Sequence, residues 1–352
     1  MADLASAFWN QGRWKEAEEL DVQVMETFKR VLGAEHPFTL TSIYNLASTF
    51  RNQGRWKEAE ELEVQVMEIT ERVLGAEHPV TLNGMANLAS TFRNQGRWKE
   101  AEKLEVQVME ITKRVLGAEH PDTLARMASL AATYRDQGRW KEAEELDVQV
   151  IEIRKRVLGA EHPDTLTSID DLALIYRDQG RWKEAEELGL QVIETFKRVL
   201  GAEHPDTLTS IANLASTLRN QGRWKEAEEL GVQVIGIRKR VLGAEHPDTL
   251  TSMADLALTF WDQGQWKEAE ELKVQVMGTR KRVLGAEHPD TLTSMANLAF
   301  TLKSQSRNEE AISLMKACFQ LQERILGPHH PDTESSLEDL SEWEIENTEI
   351  GL

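Results

Sequence analysis

A step of 42 residues runs through the whole chain and decides what it can become. With the glycine of Gln-Gly-Arg-Trp as a mark, the step recurs at Gly12, Gly54, Gly96, Gly138, Gly180, Gly222 and Gly264, and Ser306 stands at the eighth position. The His-Pro pair keeps the same spacing from His36-Pro37 to His330-Pro331. Eight of nine prolines, fifteen of 21 glycines and seven of ten tryptophans fall into such columns. A chain of 352 residues would ordinarily be read as two or three globular domains, but this one is a single unit copied many times.

Two helices fit in each unit. In the copy from Pro121 to His162, the first is predicted from about Asp122 to Gln137, with Met127, Leu130, Ala131 and Tyr134 forming one 3.6-residue stripe. Gly138 closes it, since glycine takes the left-handed conformation of a helix end. The second is predicted from about Trp140 to Leu158, burying Trp140, Ala143, Leu146, Val150 and Val157, and ending at Gly159. Glutamates crowd its first turns and Lys155 and Arg156 its last, as the helix dipole favours. The following Pro163 suits a first helical turn, with Asp164 or Thr165 as the cap. No strand pattern is present. A lone hairpin cannot bury both apolar faces, so the copies must stack into an all-α solenoid with a superhelical groove.

The residues Leu130-Ala131, Tyr134, Gly138, Trp140 and Ala143 resemble the tetratricopeptide repeat frame. There are departures: Ile or Met replaces the leading Trp, Ala the Gly, and the later Phe becomes Asp21, Glu63, Gly189 or Lys273. With HPDT, NLA and QGRWKEAEEL at a 42-residue period, the chain is similar to the repeats of kinesin light chains and to C-terminal arrays of fungal NACHT or NB-ARC proteins. The resemblance implies a right-handed α-solenoid, a tetratricopeptide superhelix. It would comprise eight hairpins over residues 1–327, the first truncated and the eighth degenerate, then a capping helix over 328–345 and a flexible tail over 346–352. Met1-Ala2-Asp3-Leu4-Ala5 aligns with Met253 to Ala257, so the chain is expected to begin in mid-helix, as a truncated product or an incomplete gene model would.

The copies also provide an internal alignment. Leu and Ala, eight and seven residues before the mark, are present in all eight copies and are core. Variation ten, six and three residues before it traces a single helix stripe, which in tetratricopeptide arrays lines the concave groove. That stripe supplies Tyr44 and Asp170, the apolar Leu174, Leu258 and Phe300, and a ladder of Arg51, Arg93, Arg135, Arg177 and Arg219 flanked by Trp9 and Trp261. Guanidinium suits carboxylate capture, so the ladder can meet an acidic peptide with an apolar anchor; equally, each arginine can pair with an acid of its own scaffold. By resemblance, Asn45, Asn87, Asn213 and Asn297 of the Asn-Leu-Ala motif would hold peptide backbone, although Ser129, Asp171 and Asp255 break that series.

The remaining signals are structural. The His36, His78 and His120 column is too widely spaced for one metal and reads as a turn element. The Trp column reads as core, the KEAEE runs as solvated helix starts, and Cys318 as a small core residue in a valine column. No phosphate-binding loop, dinucleotide fingerprint or nucleophile elbow is present, so an enzyme, a cofactor and a metal are not expected. The formal charge of −19 argues against nonspecific nucleic acid or anionic lipid as partners. With no apolar run of about 20 residues, no signal peptide and one cysteine, a cytoplasmic location is the default. The expected role is a protein-interaction scaffold, in one setting the sensing part of a NACHT or NB-ARC protein and in another a free-standing cargo adaptor. The acidic tail around Trp343 could itself serve as a ligand for the groove.

Overall fold

A computed structural model describes residues 1–350, and among these there are seventeen helices and no strand. Packing divides the chain into two compact units, residues 1–179 and 180–352. The first unit holds α1 (Ala2–Asn10), α2 (Trp14–Leu32), α3 (Pro37–Asn52), α4 (Trp56–Leu74), α5 (Pro79–Asn94), α6 (Trp98–Leu116), α7 (Pro121–Asp136), α8 (Trp140–Val157) and α9 (Pro163–Asp178). The second holds α10 (Trp182–Val199), α11 (Pro205–Asn220), α12 (Trp224–Val241), α13 (Pro247–Asp262), α14 (Trp266–Val283), α15 (Pro289–Ser304), α16 (Asn308–Ile325) and α17 (Pro331–Ile350). The fold is an all-α solenoid of tandem hairpins. The tail expected from residue 346 is instead helical to Ile350, and residues 351–352 lie outside the described residues.

Every first helix from α3 onward starts on the same device. The cap is the histidine, not the following Asp or Thr: His36 Nδ1 accepts the Phe38 N–H at 3.2 Å, and His120 Nδ1 accepts that of Asp122 at 3.2 Å. Proline follows at the first helical position, where its missing N–H leaves nothing unpaired. The threonine points the other way and closes the preceding turn, Thr39 Oγ1 donating to the Gly33 carbonyl at 2.8 Å. The mark glycine sits at positive φ, +73° at Gly138, and Ser306 is the one non-glycine in that region among the described residues, at +62°.

Within a hairpin the apolar stripes meet as their period requires. Leu124 and Met127 of α7 pack on Val150 of α8, and the same columns repeat as Leu208, Ile211 and Val234 in the second unit. Truncating one such leucine to alanine costs about 2–5 kcal/mol. Two expected core positions lie elsewhere. Trp140 is 40% exposed and Val157 is 46% exposed. The tryptophan opens the second helix at the elbow, and Trp56 Nε1 donates to the Arg51 carbonyl at 3.2 Å.

Neighbouring copies are stapled by the Gln-Gly-Arg-Trp turn itself. Gln95 and Arg97 both reach Glu60 of the previous copy at 2.8 Å, while Arg97 also holds Glu100 and stacks over the Phe92 ring at 4.0 Å. Gln221 and Arg223 repeat this on Glu186 in the second unit. The second glutamate of the KEAEE run therefore links copies instead of merely facing solvent.

Candidate partner-binding face

The arginine ladder is largely engaged with the scaffold. Arg51 lies 3.2 Å from Glu63 and donates to the Asn87 carbonyl at 3.2 Å. Arg93 pairs with Asp136 at 3.3 Å, Arg135 with Asp178 at 3.8 Å and Arg219 with Asp262 at 3.4 Å, each reaching the residue two before the mark in the next copy. Arg177 holds the adjacent Asp178 at 2.8 Å. Trp261 uses the same register, its Nε1 donating to Ser304 Oγ at 2.9 Å, and Lys303 uses it toward Glu346 at 2.7 Å. This stripe is thus largely a strut between successive first helices, and Arg93 keeps the most exposed side chain of the ladder, at 32%.

Three expected contact residues are placed differently. Tyr44 is buried against Leu40 and Val66, its hydroxyl over Gly84, where a Cβ would lie 1.9 Å from Tyr44 Oη. Asp170 is buried in α9. Phe300 meets Trp343 of α17 edge-on at 5.1 Å, so the C-terminal helix covers it. α17 occupies a ninth first-helix position, with Leu340 and Trp343 packed on Leu298, Leu302 and Met315. The acidic segment around Trp343 therefore binds its own last hairpin, as packed helix. Leu174 and Leu258 are half-buried, Asn45 is exposed, and Asn87, Asn213 and Asn297 are half-buried.

A column that the sequence marked only as a family departure proves to be buried and polar. Nine residues after the mark, Asp21 accepts from Thr49 at 2.8 Å and Glu63 from Thr91 at 2.7 Å. Glu105 and Asp147 follow in the next two copies, and Lys273 in the second unit donates to Thr301 at 2.8 Å and to the Asn297 carbonyl at 3.1 Å. Burial pushes Glu63 and Glu105 up to about 7; Asp147 reaches about 7 through burial and the nearby Asp171 carboxylate, and Lys273 is pushed down to about 8 by burial. At Gly231 the column is empty and leaves a notch of about 20 Å³ beside Ala215, Arg219 and Leu256.

One cavity joins these features. About 180 Å³ is enclosed by Ala86, Asn87, Ser90 and Arg93 of α5, Glu105 and Val108 of α6, and Arg126 and Ser129 of α7. Two arginines, a buried glutamate, and amide and hydroxyl side chains thus line one space. Sequence reasoning found Asn87 and Arg93 but missed Glu105 and Arg126. A signal for Arg126 existed, since its column otherwise reads Ser42, Gly84, Ser168, Ser210, Ser252, Ser294 and Ser336. In three other copies the arginine lies across the interface, as where Arg154 donates to Ser168 at 2.6 Å; here Thr112 stands in the arginine's column and Arg126 in the serine's. Arg126 also donates to Asn83.

Among the described residues no His, Cys, Asp or Glu group is placed to hold a metal ion, and no helix is long and apolar enough to cross a membrane. Cys318 is buried, its Sγ 3.2 Å from the Leu292 carbonyl and its thiol pushed up to about 12 by burial.

Comparison with known proteins accords with this architecture. A putative kinesin light chain of Podosopora anserina with nearly identical TPR-like repeats is 37% identical over 57% of this chain and 95% of its own, with a TM-score of 0.49. BtubC (BKLC) from P. vanneervenii is 16% identical over 65% of this chain and 92% of its own, TM-score 0.53. A Rap protein solved with competence and sporulation factor is 11% identical over 99% of this chain and 98% of its own, TM-score 0.57; these last two likenesses are of fold alone. No curated protein matches. The tetratricopeptide repeat family profile matches residues 1–72, 43–114, 85–156, 123–198, 168–239 and 210–281, and a second profile of that description matches 291–332. Helical hairpins at one fixed step, covered by those profiles almost from end to end, mean that the chain belongs to the tetratricopeptide repeat family.

Proposed function

We propose that the chain is a protein-interaction scaffold that holds an acidic segment of a partner on its first-helix face, anchored in the first unit at the pocket of Asn87, Arg93 and Arg126. The observation that carries this reading is the pocket: Arg93 and Arg126 both line a space large enough for a carboxylate side chain. Arginine reads planar carboxylates through paired N–H donors, and a half-enclosed site strengthens that bond. Leu174, half-buried in the same unit, offers an apolar contact to the rest of such a segment. Selection on the full chain from a random library of short peptides tests the reading. It predicts an excess of Asp and Glu among binders, and loss of about tenfold or more in affinity on Arg93→Glu. Binders without acidic enrichment, or indifferent to that substitution, would contradict it.

Two settings suit the scaffold: the partner-sensing part of a NACHT or NB-ARC protein, supported by the near-identity of the copies, and a kinesin light chain-like cargo adaptor. Immunodetection of the native polypeptide separates them. A species far larger than 40.0 kDa supports the first, and one of that size supports the second.

A further inference from the structure

Glu105 is a group that carboxylate capture by arginine does not by itself use. It is 5% exposed on the floor of the Asn87–Arg93–Arg126 pocket, and its Oε2 has no hydrogen-bond partner. The equivalent Glu63 is fully held, Oε2 by Thr91 at 2.7 Å and Oε1 by Arg51 at 3.2 Å. At Glu105 neither contact is made in the same way: Arg93 pairs with Asp136 at 3.3 Å, and the Thr133 hydroxyl, although beside Glu105, is also without a hydrogen bond of normal geometry. The charged and titratable groups around Glu105 are Arg93 from α5, Arg126 and Asp136 from α7, and Glu102 from its own helix, with the Thr133 hydroxyl beside it.

A carboxylate that enters between Arg93 and Arg126 comes to rest beside the Glu105 carboxylate. Two carboxylates in one desolvated space do not both stay ionised, and the pair takes up a proton instead. Resting on the binding role proposed above, we infer that this pocket accepts an acidic side chain of the partner together with one proton, shared between that side chain and Glu105 Oε2. The proton comes from solvent, and no covalent bond between heavy atoms changes. Glu105 thereby gains the partner its buried oxygen lacks. Because burial already pushes the Glu105 carboxyl up to about 7, the uptake falls in the neutral range.

The test uses the full chain and a fluorescein-labelled, end-capped hexa-aspartate peptide, whose own carboxyls stay ionised between about pH 6 and about pH 8.5. Anisotropy titrations at constant ionic strength should show binding on the order of tenfold tighter at the lower pH. Calorimetry in two buffers of different ionisation heat should show proton uptake. Glu105→Gln should bind with no pH dependence, and Arg126→Ser, which restores the residue usual in that column, should bind weakly at every pH. Wild-type binding that ignores pH, or tightening that survives in Glu105→Gln, overturns the inference and leaves the scaffold reading standing. No binding of the peptide by the wild type at any pH overturns the scaffold reading, and the inference with it.

Discussion

A buried polar side chain nine residues after the glycine mark, facing a threonine of the next copy, is the smallest unit of recognition between repeats here. Glu63 with Thr91 and Lys273 with Thr301 show opposite charges solving one packing problem, each kept by a hydroxyl that can accept or donate. Sequence alone flagged the column as unusual but could not see its burial, because charge at a helix position normally signals solvent. Tyr44 misled for a related reason. It lies in a stripe expected to be open, yet its ring finds room over Gly84, the one glycine in its column. The pair is therefore size-compensated. Gly84→Ser should destabilise the protein by about 2 kcal/mol or more, and most of that loss should vanish in the Tyr44→Ala background. Chemical denaturation of the four variants measures the coupling, and additive losses would show that the hydroxyl and the glycine are not in conflict.

At the scale of the helix, the periodicity placed both helices of the copy from Pro121 to His162 within about a residue of those observed. Existence and type of element follow from the apolar stripe and the glycine stops, which are local. The caps were less legible. Histidine is not among the common capping side chains, and only the structure reveals that its Nδ1 takes the role. The tryptophan column is less buried than a core position, half-buried at Trp14, Trp56 and Trp98 and 40–42% exposed from Trp140 to Trp266, because it opens the second helix of each hairpin. The turn before α16 provides a test of its own. Ser306 adopts φ +62° where the other copies have glycine, a conformation that costs a non-glycine residue about 1 kcal/mol. Ser306→Gly should raise stability by about 0.5 kcal/mol, the larger flexibility of glycine in the unfolded chain offsetting part of the gain. A lowered thermal midpoint in calorimetry would contradict this.

Across the molecule, the acidic excess and the buried acids give a pH dependence with a definite sign. Glu63, Glu105 and Asp147 have folded pKa values of about 7, well above their ordinary values. Their contribution is thus fully present below about pH 4 and is lost as the pH rises through about 7. Opposing them, Arg55, Arg97 and Arg139 hold Glu58, Glu100 and Glu142 below the ordinary carboxylate range, so that contribution is lost on acidification. Thermal stability should be greatest between about pH 5 and about pH 6.5 and fall toward pH 8. The triple variant Glu63→Gln, Glu105→Gln, Asp147→Asn should flatten the alkaline side. A midpoint that rises from pH 6 to 8 would contradict the burial of charge that the account requires.

The binding role is tested most directly by observing the arginine side chains themselves. With Nε-labelled arginine, titration of the hexa-aspartate peptide should shift the Arg93 and Arg126 signals saturably and together, while Arg139 and Arg156, already held by scaffold glutamates at other faces, stay in place. Shifts spread evenly over the exposed arginines, with none peculiar to Arg93 and Arg126, would mean that the peptide feels only scattered surface charge and that the pocket is not where a partner docks.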